Sequence, residues 1–150
     1  MNAPTAHHRL LIPIDATEDW RCGVQDAIRM SRQGVSVEAY LLYIVAPIRS
    51  WEVRRFRTEQ EIHRHFEDRS LVFLEAASRP LREAGIPCTC LFREQAPVFG
   101  ILDLAEQFDC SEILMPAPNW LDAVCGSSLS HRLRNARRSI PVRLIRPGDN

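Results

Sequence analysis

The chain contains no lysine: all nineteen of its basic residues are arginine. That excludes a phosphate-loop lysine and a Schiff-base lysine. It also lacks net charge, because nineteen acidic side chains cancel the arginines, so no global field draws it to nucleic acid or to an anionic membrane. No C-x-x-C pair occurs among Cys22, Cys88, Cys90, Cys110 and Cys125. Their odd number signals neither a disulfide framework nor a zinc site, and reduced thiols in a cytoplasmic protein are expected. No apolar run reaches the ~18 residues that cross a bilayer, and the opening MNAPTAHHR lacks a signal peptide's apolar segment, so a soluble, unexported protein is expected. G-x-S-x-G is absent too, and with it a nucleophile elbow; no catalytic residue is named.

What is present is regular alternation. At 150 residues the chain suits a single domain spanning residues 1–150, with a core from about 9 to 147, able to bury roughly 68–70% of the surface its unfolded form exposes. Leu10–Ile14 reads as a short strand ending in Asp15. A helical pattern follows from Trp20 to Arg32, with Val24, Ala27 and Ile28 inward, stopped by Gly34. Val35–Val45 reads as a second strand. Ile62, Phe66, Phe73, Ala77 and Leu81 recur near the 3.6 period, predicting a long helix from Thr58 to Ala84 with a kink at Pro80. Ile86–Phe92, Val98–Phe108 and Glu112–Met115 follow as strand, helix and strand. A last helix over Ser128–Arg137 precedes a fifth strand, Val142–Ile145. Five strands alternating with four helices predict an α/β fold: an open, mainly parallel five-stranded sheet with helices on both faces.

Ligands of such sheets settle beyond the carboxyl ends of the strands, where strand order reverses. Two loops are placed to line that crevice, Asp15–Asp19 and Pro116–Ser128. Here the runs "LLIPIDATED", "AYLLYIVAP", "LREAGIP" and "SEILMP…GSSLSHRLRNARRSIPVRLIRP" together resemble the universal stress protein family over Leu10 to Pro147, in order and in spacing. The resemblance implies a Rossmann-like fold of the adenine nucleotide alpha hydrolase type, commonly dimeric, with some members that bind ATP and others that do not. It further implies an aspartate, here Asp15, at the mouth of the adenine pocket, and the backbone near Ile44 facing the base. It implies a two-fold pairing of the last strand, Val142–Ile145, with its twin.

Binding members carry G-x-x-G, nine residues, then G-[ST] after the fourth strand. In this chain Pro116 and Asn119 stand in the positions of the two glycines, and six residues rather than nine separate Asn119 from Gly126. Proline has a fixed φ and no N–H, whereas a phosphate loop closes bare backbone N–H groups around oxygen. Pro116 and Pro118 each delete a donor, and Trp120 adds bulk. Gly126, Ser127 and Ser128 remain at a helix start, where free N–H groups and the dipole could hold one phosphate. The preferred reading is that Ser127 or Ser128 caps that helix, contributing about 1 kcal/mol. Asp15 is read in the same two ways, as a ligand-facing carboxylate or as the start of a turn in which Thr17 or Asp19 caps the first helix.

The remaining candidates have bland readings. His63 and His65 lie about 200° apart around a helix and cannot chelate one ion, so solvent exposure is expected for them. Cys88 and Cys90 share a strand face, and core packing is expected. Arg132, Arg134, Arg137 and Arg138 crowd a helix C-terminus, where the dipole favours cations. Trp51 and Phe56 could fold over the crevice or pack a dimer surface.

The function expected is therefore a non-enzymatic, stress-related regulatory or interaction domain, homodimeric through Val142–Ile145, with weak or no ATP binding and no required cofactor. The alternative is an ATP-binding member with a remodelled loop, Asp15, Ile44, Gly126, Ser127 and Ser128 forming the pocket, and slow ATP hydrolysis. A third reading is a sensor of a non-nucleotide small molecule with Trp120 in the pocket wall.

Overall fold

A computed structural model describes residues 7–47, 58–117, 132, 133, 136 and 140–146. Within them lie strands β1 (His8–Ile14), β2 (Val37–Val45), β3 (Cys88–Glu94), β4 (Glu112–Pro116) and β5 (Val142–Ile145), with helices α1 (Arg21–Arg32), α2 (Glu59–Glu83) and α3 (Pro97–Gln107). Every strand pair is parallel, in the order β3-β2-β1-β4-β5. The expected α/β class, strand count and parallel sheet are all found. Of the last expected helix only Arg132, Leu133 and Ala136 fall among the described residues, the first two of them helical. Among the described residues no helix is long and apolar enough to cross a membrane.

Two apolar clusters explain the layering. Alternate side chains of a strand leave opposite faces, and β1 sends Leu10, Ile12 and Ile14 to one side, against Val24 and Ala27 of α1 and Leu74, Ala77 and Leu81 of α2. Leu11 goes to the other, with Ile101, Leu104 and Ala105 of α3 and Leu133. Helices thus cover both faces, as parallel sheets require.

The helix ends follow local chemistry. At the start of α2, Thr58 Oγ1 accepts from Glu61 N while the Glu61 carboxylate accepts from Thr58 N, a reciprocal capping box. That helix runs on through Pro80 to Glu83. Gly34 and Gly85 take positive φ just beyond α1 and α2, the conformation glycine adopts without steric cost.

Candidate functional site

Strand order reverses between β1 and β4, so the crevice lies where those two strands end. Their ladder is short, pairing Leu10 with Glu112 and Leu11 with Ile113 and no further. In that register the next two inter-strand bonds would need the N–H of Pro13, donating to the Leu114 carbonyl, and the N–H of Pro116, donating to the Pro13 carbonyl. Neither exists, because proline carries no amide hydrogen. The seam therefore loses its cross-links at the carboxyl end, where two carbonyl oxygens have no sheet donor. The next amide along, Ala117 N, donates instead to Ile145 O of β5 at 2.8 Å.

Asp15 leaves β1 directly into this crevice and is exposed. Its Oδ1 accepts from Thr17 N at 2.8 Å and from the Thr17 hydroxyl, the two-residue-on pattern by which an Asp organises its own turn. Thr17 Oγ1 in turn accepts from Asp19 N at 3.4 Å. Neither Thr17 nor Asp19 caps α1, correcting the sequence expectation. The cap position is Trp20, in helical conformation and without a side-chain cap bond. The physical reason is burial: the indole is 4% exposed within the cluster that holds Ile14 and Ile145, and seating it there winds the chain into the helix. The nonglycine residue Glu18, with φ 66°, absorbs the resulting reversal.

Ile44 comes one residue after Tyr43, the partner of Ile14, so its backbone lies beside the β1 exit, at the same end of the sheet as Asp15. Its side chain turns to α3, where a Cβ on Gly100 would come within 2.3 Å of Ile44 Cδ1. The fold thus gathers Asp15, Ile44 and Pro116 at one end. Gly126, Ser127 and Ser128, like Pro118, Trp120, Trp51 and Phe56, lie outside the described residues.

At the opposite end of the strands sits a charge network that sequence reasoning missed. Asp26 of α1 has a side chain only 2% exposed, ion-paired through Oδ2 with Arg143 Nη2 of β5 at 2.6 Å; Arg29 donates to its Oδ1. Alignment at Oδ2 falls short of a hydrogen bond, so charge pairing compensates that oxygen. Arg143 also donates to both carboxylate oxygens of Glu112, Nε at 3.2 Å to each and Nη2 at 2.8 Å to Oε1. His8 Nε2 lies 3.2 Å from the same Oε1. Burial opposes ionisation of Glu112, but hydrogen bonds from Arg143 and His8 outweigh it and hold the carboxyl below its ordinary range. The one available signal was Asp26 itself, a carboxylate between Val24 and Ala27 on the inward stripe of α1.

Of two further expectations, the exposure of His63 and His65 is found and the core packing of Cys88 and Cys90 is modified. His63 is about half exposed, but Nδ1 sits 2.7 Å from Glu94 Oε2 and the ring stands edge-on to Phe92, centroids 5.3 Å apart. This pair lines an open groove of about 1020 Å³ between α2 and β3, on the edge of the sheet away from β4. Cys88 is half-buried and Cys90 exposed rather than core, because β3 is an edge strand. The buried Cys110 thiol is pushed up to about 11 by desolvation, which leaves it an inert core group.

No family model and no curated protein matches the sequence. Solved structures do match. A universal stress protein family structure from Burkholderia pseudomallei aligns over 93% of this chain and 96% of its own, with TM-score 0.71 at 15% identity. One from Arabidopsis thaliana with AMP bound aligns over 94% and 96%, with TM-score 0.62 at 14% identity. A universal stress protein in complex with cAMP aligns over 94% and 98%, with TM-score 0.63 at 12% identity. Near-complete coverage in both directions, on a sheet of the same kind, leads to one conclusion: this chain has the universal stress protein fold.

Proposed function

We propose that this chain is a stress-related regulatory or interaction domain of the universal stress protein family, cytoplasmic and homodimeric, that does not act as an enzyme and holds ATP weakly or not at all. One observation carries the reading: among the described residues, the β1–β4 seam that opens onto the crevice has prolines where it would carry amides. Pro13 and Pro116 supply no N–H, Ala117 N is committed to Ile145, and the carbonyls of Pro13 and Leu114 lack sheet donors. Carbonyl oxygens only accept, so this stretch of the seam offers an anion no hydrogen bond. Calorimetric titration with ATP and Mg²⁺ is expected to give no saturable heat at micromolar concentration, and Pro116→Gly, which restores backbone freedom at the first position of the loop, is expected to strengthen binding. Micromolar affinity in the native protein that disappears in the Ser127→Ala, Ser128→Ala double variant would overturn the proposal.

The second reading is a nucleotide-binding protein that uses Asp15, Ile44, Gly126, Ser127 and Ser128, with slow ATP hydrolysis. It is favoured by neighbours of the same fold that carry AMP and cAMP. Those ligands have one phosphate each, and a donor-poor seam handicaps a monophosphate less than a triphosphate. The same titration with AMP separates the two: saturable AMP binding would support the pocket of this second reading, and its ATP hydrolysis falls if ATP does not bind.

Dimerisation through β5 belongs to the first reading. Among the described residues β5 pairs only with β4, so one row of its backbone groups is available to a second copy. Light scattering on an eluting peak is expected to give twice the chain mass, and a monomer at micromolar concentration would count directly against it.

A further inference from the structure

The sheet ends in β5 on one side and in β3 on the other, and β3 is the longer edge, seven residues against four. Edge strands are ordinarily blunted by proline, by a bulge or by shortness. β3 contains no proline and pairs with β2 in unbroken register from Cys88 to Glu94. The register also fixes which backbone groups are left over. Ala39 N donates to the Pro87 carbonyl at 2.9 Å, and Gln95 N to the Val45 carbonyl at 3.0 Å. In a parallel ladder, residues bonded to the neighbour alternate with residues turned away from it. Residues 89, 91 and 93 therefore serve β2, and the N–H and C=O groups of Cys88, Cys90, Phe92 and Glu94 point off the sheet. Among the described residues one group meets that row, Arg93 Nη1, which donates to the Phe92 carbonyl at 2.7 Å.

One flank of α2 overhangs this edge. Arg64 and Glu67 line the groove between α2 and β3, and Leu71, four residues beyond Glu67, continues the same stripe and is 60% exposed. A strand added to β3 would lie about 4.8 Å outside it, in the groove and beneath that flank. Its side chains on the α2 side would meet two different surroundings. Near Cys90, whose thiol points at the Leu74 carbonyl, the neighbour is apolar Leu71. Toward the end of β3 the neighbours are Glu67 and Glu94, which bracket His63 at 3.8 and 2.7 Å. One imidazole carries at most one positive charge, so the two carboxylates keep a net negative charge in either state of the ring. The whole lining agrees in sign, with Glu59, Glu67 and Glu94 against Arg64 and Arg93.

We propose that β3 is the docking edge for an extended segment of a partner protein, which adds a further strand and carries an apolar side chain for Leu71 and a basic one for Glu67 and Glu94. Main-chain hydrogen bonds to Cys88, Cys90, Phe92 and Glu94 supply affinity, and the alternate side chains turned toward α2 supply selectivity. Arg93 leaves the Phe92 carbonyl as an incoming amide takes its place. The inference rests on the interaction-domain reading above and gives that partner a surface and a chemistry; it requires neither ATP nor pairing through β5.

The probe is a labelled peptide of alternating valine and arginine, seven residues like β3, titrated into the full-length protein by fluorescence anisotropy. Saturable binding is expected, and a valine–glutamate peptide should bind about 10-fold more weakly. Two isomers, methylated on the valine or on the arginine backbone nitrogens, should differ: one binds like the parent and the other, its inward donors gone, does not bind. Cys90→Pro deletes an outward N–H and no bond to β2, so it should abolish binding while keeping the native circular dichroism, ATP titration and eluting mass. Glu67→Gln with Glu94→Gln should bring the two peptides to similar affinity. In the free protein the Cys90 and Phe92 amides should exchange quickly, and peptide should slow them. Slow exchange without peptide would mean that the protein's own chain covers the row, and a mass above the dimer that falls in Cys90→Pro would assign the edge to a second copy; either overturns the proposal. So does equal binding by the two methylated isomers, unchanged binding to Cys90→Pro, or no binding of the arginine peptide at millimolar concentration. None of these outcomes alters the ATP titration, by which the reading above stands or falls.

Discussion

Replacing Arg143 with methionine is expected to cost about 3 kcal/mol of folding stability in a urea titration. The guanidinium serves two carboxylates at once, Asp26 at 2.6 Å and Glu112 at 2.8 Å. Methionine preserves much of the stem's volume but leaves the Asp26 side chain, 2% exposed, with Arg29 alone, and Glu112 with His8 alone. Removing one partner of a buried pair typically costs about 3–5 kcal/mol, because the other charge stays buried without compensation. Arg143 itself is 36% exposed, so water screens part of the interaction and the lower end applies. Acid should narrow the gap. Glu112 is held below its ordinary range in the folded protein, so its contribution is complete above the unfolded pKa of about 4.3 and disappears as pH falls through the folded value. In Arg143→Met that depression is largely removed, so the native protein should lose more stability than the variant as pH drops from about 5 toward 2. Parallel pH profiles would sink the attribution to charge. Adding Asp26→Asn to the variant should cost less than the sum of the single changes, because the uncompensated carboxylate is gone.

That network also marks the limit of what residue order alone reveals. Apolar periodicity places all five strands and three described helices, because β1 and β4 are buried on both faces and read as short unbroken apolar runs, while α2 keeps its 3.6 repeat over 25 residues. Boundaries shift by a residue or two where neighbours decide them. β3 begins at Cys88 rather than Ile86, since Ala39, its first partner on β2, pairs with Cys88. Contacts between distant segments leave no such periodic trace. Asp26 and Arg143 meet only because β5 returns beside β4 on the side α1 covers. Cys90 looks like a core residue by strand alternation, and becomes exposed because its strand is the sheet edge. The crevice is a mixed case. Asp15 at a strand end is legible from local sequence, as is the loss of amide donors at Pro116. That Pro13 faces Pro116 across one seam needs the strand order and register, since either proline alone would read as a tolerable strand irregularity.

Trp20 is where fold and crevice meet, and its removal should be the costliest single apolar change near the site. Trp20→Ala is expected to lose about 3–5 kcal/mol, the range for truncating a buried tryptophan. The indole is 4% exposed, packed in the cluster of Ile14, Val24 and Ile145. Its Nε1 is buried without a hydrogen-bond partner among the described residues, so part of what the side chain gains by burial is spent on an unsatisfied donor. Trp20→Phe keeps an aromatic ring and deletes that donor; it should cost only about 1 kcal/mol, because loss of volume and relief of the buried N–H act in opposite directions. Equal losses for the two variants would mean that the N–H does find a partner in the native fold. The alanine change should also reach the crevice. Trp20 anchors the first turn of α1, with Gly23 N and Val24 N donating to its carbonyl at 3.0 and 3.2 Å, and the Asp15 turn is tethered between that anchor and β1. Hydrogen exchange of the amides from Thr17 to Val24 should accelerate in Trp20→Ala and stay near native in Trp20→Phe. Unchanged exchange in the alanine variant would show that the Asp15–Thr17 hydrogen bonds alone hold the loop, making the turn a property of its own five residues.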